Sequence, residues 1–355
     1  MSAPANRDAI DVDRLIAAVQ RNCDLADAVH AREKSLCTYL LNLREFYRWQ
    51  TDLPLGTLPD RDRLGQWIAA RERAWDRLRQ EAAHGFDPLP LALRRADAFD
   101  EATVNASLAP HRLVYGAGIG LFGAQLFFLA EIESSSTRDG VPVLVAGREL
   151  ARGLAAVPAA SRGGAIVVRG DALRRWLWTR IEGRPRGRRT DALSAALSLY
   201  GADDDPAAAV DQIVEAATET VVLHELGELR AAAELGADWE QMLAAATDRR
   251  IELLLRAIRD LLADTWVTLP ALLQRGDVGA LLFWLSNFDG LRRELAPDLA
   301  RAFDPQRGQL LSAALQATLP GQHKHWLREA LDLRDSWRKG GAAALAQSLQ
   351  PRLDR

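Results

Sequence analysis

The stretch from Thr218 to Glu228, T-E-T-V-V-L-H-E-L-G-E, constrains this chain more than any other. It sits inside a predicted helix running from about Pro206 to Leu235. Read in steps of three and four, that helix gives Val210, Val214, Ala217, Val221, His224, Glu228, Ala231 and Leu235, a stripe that should face the protein interior. Two ionisable groups interrupt the stripe. Residues four apart stand one turn above each other, so the His224 imidazole and the Glu228 carboxylate converge on one point. A lone buried charge there would cost several kcal/mol, so the pair needs an answering partner: each other, another polar side chain, or a metal ion.

The local pattern V-V-L-H-E-L-G-E resembles the H-E-x-x-H helix of zinc metallopeptidases, in which two histidines hold the ion and the glutamate between them activates a water. Transferred position by position, the resemblance makes His224 the first ligand and Glu225 the general base. Glu228 stands where the second histidine would be. A carboxylate in that place moves the site toward harder metals, manganese or iron as well as zinc. The peptidase pattern would continue with a glycine at 231 and a ligand at 234, where this chain has Ala231 and Glu234. An unbroken helix through Ala231, Ala232 and Ala233 leaves Glu234 roughly 15 Å along the axis from His224. A third ligand must therefore come from elsewhere. The competing reading is a buried His-Glu hydrogen bond that only fixes helix packing.

Composition narrows the function classes. The 355 residues allow two or three domains, and 48% hydrophobic with 26% charged residues is ordinary for a globular chain. A net charge of -3 gives no basic field, which argues against nucleic acid as a partner. The polar start, Met1 to Asp8, has no apolar signal core, and the expected location is the cytoplasm. The uncharged run from Leu113 to Ala130 reaches membrane-span length but holds four glycines and Gln125, so it reads as strands around a glycine turn rather than a membrane segment. Cys23 and Cys37 form no C-x-x-C pair and are expected to be reduced thiols. The only lysines are Lys34, Lys324 and Lys339, none placed for a phosphate loop.

Three regions follow along the chain. Residues 1-110 read as helical: Asp11 caps a short helix, a long one runs from about Asp24 to Gln50, and Asp60 opens another through Trp67 and Trp75 to His84. His30, Glu33 and Cys37 share a face of the long helix. Cys37 and His30 lie roughly 10 Å apart by helical rise, too far for direct proton transfer. Further along, Tyr39, Arg44, Tyr47 and Arg48 alternate with apolar residues, a mixture that suits an anionic organic ligand and equally an ordinary packed helix.

Residues 111-189 read as a small α+β module. Gly118 to Gly123 matches G-x-G-x-x-G but leads into the extended run Leu126 to Ile132, where a dinucleotide fold needs a helix. Ser134 to Gly140 reads as a turn and Val141 to Val145 as the returning strand. A helix from about Arg148, the strand Ala165 to Val168 and a helix opened by Asp171 come next. Glu131, at the end of its strand run, is the acid expected to reach the His224 site as a further metal ligand. Arg180 to Arg189, with five arginines around glycine and proline, reads as an exposed linker. From 190 to 355 the chain reads as all helical, and His325 with Glu329 repeats the four-residue His-Glu spacing. The fold class expected is α+β and predominantly helical, with helical ends flanking the β-containing module.

The blocks C-T-Y-L-L-N-L-R-E-F-Y-R-W, F-F-L-A-E and H-E-L-G-E together resemble an uncharacterised family of bacterial proteins. The resemblance implies that the three blocks belong together and brings no activity with it.

The sequence thus leads to a metal-dependent enzyme. A divalent zinc, manganese or iron ion on His224, Glu228 and Glu131 would supply a water for Glu225 to deprotonate, hydrolysing a small, anionic substrate held by Tyr39, Arg44, Tyr47 and Arg48. A helical dinuclear iron or manganese oxidase is one alternative. An adaptor in which His224 and Glu228 only lock the core is another.

Overall fold

The computed structural model describes residues 10-81, 85-183, 191-202 and 205-353. The first residues, His84 and the arginines from 184 to 189 of the expected linker lie outside the described residues. The fold is α+β and mostly helical, with a curled five-stranded sheet in its middle. Contacts divide it into two compact units, Met1–Thr179 and Arg180–Arg355.

The first unit opens with α1 (Val12–His30), capped by Asp11, whose carboxylate accepts from the Arg14 amide at 3.1 Å. The continuous helix expected from Asp24 to Gln50 is broken. A 3-10 turn at Ala31–Glu33 separates α1 from α2 (Leu36–Gln50), and Ser35 caps the second helix through the Thr38 amide. The reason is local: a serine hydroxyl that satisfies the first amides of a new helix competes with continuation of the old one. The helix α3 (Arg61–Glu81) and two short strands, β1 (Leu89–Pro90) and β2 (Arg95–Ala96), lead to α4 (Glu101–Leu108).

Five strands follow: β3 (Leu113–Ile119), β4 (Gln125–Arg138), β5 (Val141–Arg152), β6 (Ala159–Arg162) and β7 (Ala165–Arg169). Their spatial order is β3-β4-β5-β7-β6, antiparallel except for the β5-β7 pair. Two expectations need correction here. The β4-β5 turn is only Asp139 and Gly140, both at positive φ, and Ser134 to Thr137 belong to the strand. Positive φ at both central residues is the geometry of a type I′ turn, one of the two favoured in two-residue hairpins. The helix expected from Arg148 is absent, because β5 continues to Arg152. Glu149, Ala151 and Arg152 pair with β4 across irregularities near Ala130 and Ile132, and cross-strand pairing overrides a helix-forming sequence.

One sheet face, with Tyr115, Phe127, Leu129 and Ala151, buries Leu15, Val19 and Cys23 of α1. The other face gathers Val114, Phe128, Ala130, Ala146 and Val167. At Gly116 a Cβ would stand 2.1 Å from the Phe128 ring, so only glycine lets that ring lie across the strand. The outer edge of β3 is closed by side chains. The Asn105 amide donates to the Tyr115 carbonyl at 2.9 Å and accepts from the Tyr115 amide at 2.8 Å. Glu101 accepts from the Ala117 amide at 2.6 Å, and Arg162, at the far edge of the sheet, donates to the Ala117 carbonyl at 2.5 Å.

A carboxylate in the α1-sheet contact gives this unit a pH dependence. Asp27 accepts from the Leu154 amide at 2.8 Å, yet burial, the first cause, and the nearby Asp24 charge push it up to about 7 despite Lys34 and Arg71. The folded state thus holds a proton that the unfolded chain releases near pH 4. This costs nothing below pH 4, grows between pH 4 and 7, and is complete above 7. Asp27→Asn, which keeps an acceptor for Leu154, should stabilise the protein on the order of 2 kcal/mol at pH 8 and leave it nearly unchanged at pH 4. Thermal unfolding at both pH values checks this; equal shifts at both would refute it.

The second unit begins with the end of α5 (Gly170–Glu182), then α6 (Ala192–Leu199), α7 (Pro206–Leu235), α8 (Ala237–Ala244) and α9 (Arg249–Ala263). A π-turn, Asp264–Thr268, joins α9 to α10 (Leu269–Arg275). The remaining helices are α11 (Val278–Ser286), α12 (Gly290–Leu295), α13 (Pro297–Ala300) and the long α14 (Ser312–Leu353). Leu235, Trp239, Leu255, Ile258, Leu262 and Leu285 are among the residues of its continuous core. No helix of the described residues is long and apolar enough to cross a membrane.

Candidate metal centre

Helix α7 has the bounds its sequence predicts, with Pro206 opening it and Gly236 at φ 72° ending it. Its buried face is turned slightly from the expected one. Ile213, Ala217, Thr220, Gly227, Ala231 and Leu235 are buried, whereas Val214 and Val221 are only partly so. His224 and Glu228 therefore stand at the border of the buried stripe, with side chains 23% and 18% exposed. The pair is reachable from solvent.

The partners come from α9 and the turn after it. Backbones approach closely at Gly227, where a Cβ would be 2.6 Å from the Ala263 carbonyl oxygen. That approach brings α7 against Asp260 and Asp264, themselves one turn apart. His224 Nδ1 is 2.8 Å from Asp264 Oδ1, and Asp264 is fully buried. Asp264 also accepts from Arg292 at 3.4 Å and from the Trp284 indole. Burial raises the Asp264 pKa, but His224 and Arg292 more than offset it and hold the carboxyl below its usual range. An ionised carboxylate only accepts, so Nδ1 carries the proton and Nε2 faces Glu228, 3.5 Å away.

Glu228 accepts from Arg259 at 2.9 Å. Burial alone would raise the Glu228 carboxyl; His224 and Arg259 hold it well below the carboxylate range. Burial would likewise lower His224, but Asp264 and Glu228 keep its imidazole well above its usual value. Asp260 goes the other way: burial and the adjacent Glu228 charge push it up to about 7. Two acids and an imidazole thus crowd one point. One ligand atom each from His224, Glu228 and Asp260 lie within 4.8 Å of one another, the only such group among the described residues. A cation held about 2.0 to 2.4 Å from each donor bridges that spacing. Asp264 then holds the imidazole from behind, as carboxylates commonly do for histidine ligands.

Asp260, Asp264, Arg259 and Arg292 were not singled out from sequence. A signal was there: two aspartates four apart inside A-I-R-D-L-L-A-D-T-W-V repeat the logic of His224 and Glu228. Glu225 is buried, one residue and about 100° around the helix from His224, and is not among the three converging groups.

The other expected site residues lie in the first unit. Glu131 sits within β4 opposite Leu113, rather than at a strand end, and forms an exposed ion pair with Arg148 at 2.7 Å. Tyr39 donates to Glu72 at 2.9 Å; burial first and then Glu72 push its hydroxyl up to about 12. Arg44 reaches Glu45 at 3.0 Å, and Tyr47 meets Trp67 edge-on at 5.4 Å. Arg48 is fully buried, donating to Glu45 and to the Thr57 carbonyl at 3.1 Å each. On α1 and the turn after it, His30 contacts Gln125 at 2.8 Å and Glu33 at 3.6 Å. Cys23 is buried and Cys37 exposed, both as free thiols. On α14, the His323 ring lies 5.0 Å from the Trp266 ring, tilted by 42° to it.

Fold and site together define a protein of two units, the first α+β and the second α-helical, the second carrying a partly buried His-carboxylate cluster. The chain belongs to the family of unknown function DUF6866: residues 14–169 match its N-terminal domain and residues 174–354 its C-terminal domain. No curated protein and no solved structure matches it.

Proposed function

We propose that the second unit binds a divalent cation on His224, Glu228 and Asp260, and that the protein is a metal-dependent enzyme, a hydrolase using a metal-activated water. The supporting observation is the convergence of two partly buried acids and an Nδ1-tethered imidazole within 4.8 Å. Like charges so placed repel unless one is protonated or a cation lies between them. A bound zinc, manganese or iron ion would lower the pKa of its water toward 7. In this reading Asp260 takes the ligand place expected of Glu131, and Glu225 remains the proposed base. A small anionic substrate and a cytoplasmic setting complete the proposal, and H-E-L-G-E, with the two blocks of the first unit, is taken as a mark of the family.

A structural role is the second reading, favoured by Arg259 and Arg292, which already neutralise Glu228 and Asp264. Metal analysis of the purified protein after equilibration with zinc, manganese or iron(II) separates the two. The expected result is one ion per chain, with His224→Ala and Asp260→Asn each weakening binding at least tenfold. An absence of stoichiometric metal, with His224→Leu destabilising the protein, would leave only the structural role.

A further inference from the structure

The curled sheet of the first unit leaves a slot between its two edges, and we propose that this slot is a binding site for a small aliphatic carboxylate. It is independent of the metal centre. The sheet curls far enough for Arg162 of β6 to reach the Ala117 carbonyl of β3, so the two edges face each other without pairing strand to strand. Between them is a cavity of about 440 Å³. That falls within the roughly 300 to 1,000 Å³ in which pockets take small organic ligands, and mouths of curled or closed sheets are common places for them.

The walls and the rim differ in chemistry. Val114, Ile132, Leu144 and Val167 form the apolar wall, and Ile132 and Leu144 are only partly buried, leaving aliphatic surface open to whatever enters. The rim carries Arg112, Arg162, Asn105 and Glu101. Asn105 is committed to both backbone groups of Tyr115 and Glu101 to the Ala117 amide. Arg162 stands 3.8 Å from Glu101, which leaves the exposed Arg112 as the second cation against a single carboxylate. Arg112 donates through one terminal nitrogen to the Ile132 and Glu133 carbonyls, and this fixes its guanidinium at the mouth. An apolar pocket with one surplus positive charge at its mouth fits an acyl chain inside and a carboxylate outside, the pairing to which a guanidinium's geometry is suited. Gly118 belongs to the same arrangement: a Cβ there would stand 1.9 Å from Arg162 Nη1, so the bridging arginine requires glycine beneath it.

Octanoate is the probe, titrated into the full chain by calorimetry, with 1-octanol as its uncharged counterpart. Octanoate should bind at one site, and octanol at least fivefold more weakly. Leu144→Trp, which fills the slot, should abolish binding while leaving the circular dichroism spectrum unchanged, and Arg112→Gln should weaken octanoate at least fivefold without changing octanol. In the unaltered protein, nuclear Overhauser contacts from the octanoate chain to the Leu144 and Val114 methyls give a readout that needs no variant. Absence of binding, binding unchanged in a folded Leu144→Trp protein, contacts to methyls elsewhere, or equal affinity for octanol would each overturn the proposal.

Discussion

Gly227→Ala is expected to destabilise the second unit by about 2 to 3 kcal/mol, although alanine is the better helix former by roughly 1 kcal/mol. The reason is contact, not propensity. The added methyl would sit 2.6 Å from the Ala263 carbonyl oxygen and 3.0 Å from its carbon, and backbone cannot swing aside as a side-chain tip can. Helices α7 and α9 would have to separate, and with them His224 and Glu228 from Asp260 and Asp264. For a unit of this size the loss corresponds to roughly 5 to 10 °C in melting temperature. Calorimetry on the full chain reads it as a shift of one transition. A shift of under 1 °C would mean that the two helices do not meet as closely as described.

The second large effect is expected at Asp264. Asp264→Asn removes the fully buried charge that His224, Arg292 and Trp284 share, and its amide group presents a donor where three donors already point. Removing one member of a buried ionic network costs about 3 to 5 kcal/mol, because the remaining charges stay buried without their partner. The same change frees the imidazole to rotate, so affinity for a metal on Nε2 should fall 10- to 100-fold. The matched control is Arg275→Gln on the exposed pair with Glu219, expected to change stability by under 1 kcal/mol. Comparable losses at both positions would show that burial of Asp264 carries no special weight.

The candidate centre was half legible in sequence, and the division has a physical cause. His224 and Glu228 lie on one helix, where a spacing of four alone guarantees proximity. Asp260 and Asp264 reach them only because Gly227 lets α9 come close, a long-range approach that no local period encodes. The fold shows the same contrast. The limits of α7 follow from proline and glycine punctuation, which acts locally. The extent of β5 depends on pairing with β4 across irregular register, so Arg148 to Arg152 form a strand although their composition favours a helix. The break between α1 and α2 was locally encoded after all, in the Ser35 hydroxyl and the Thr38 amide, but good helix formers on either side of it hide the signal.

A strand at the rim of an open sheet normally presents free amides and carbonyls to any extended segment that drifts by, including the same segment of a sibling molecule. At β3, an asparagine, a glutamate and an arginine occupy those groups in a partner strand's stead. The first unit can thus keep its sheet unclosed, and a cavity within it, without offering siblings a template for fibre-like growth. Small changes at Asn105 would remove that protection before they disturbed the core.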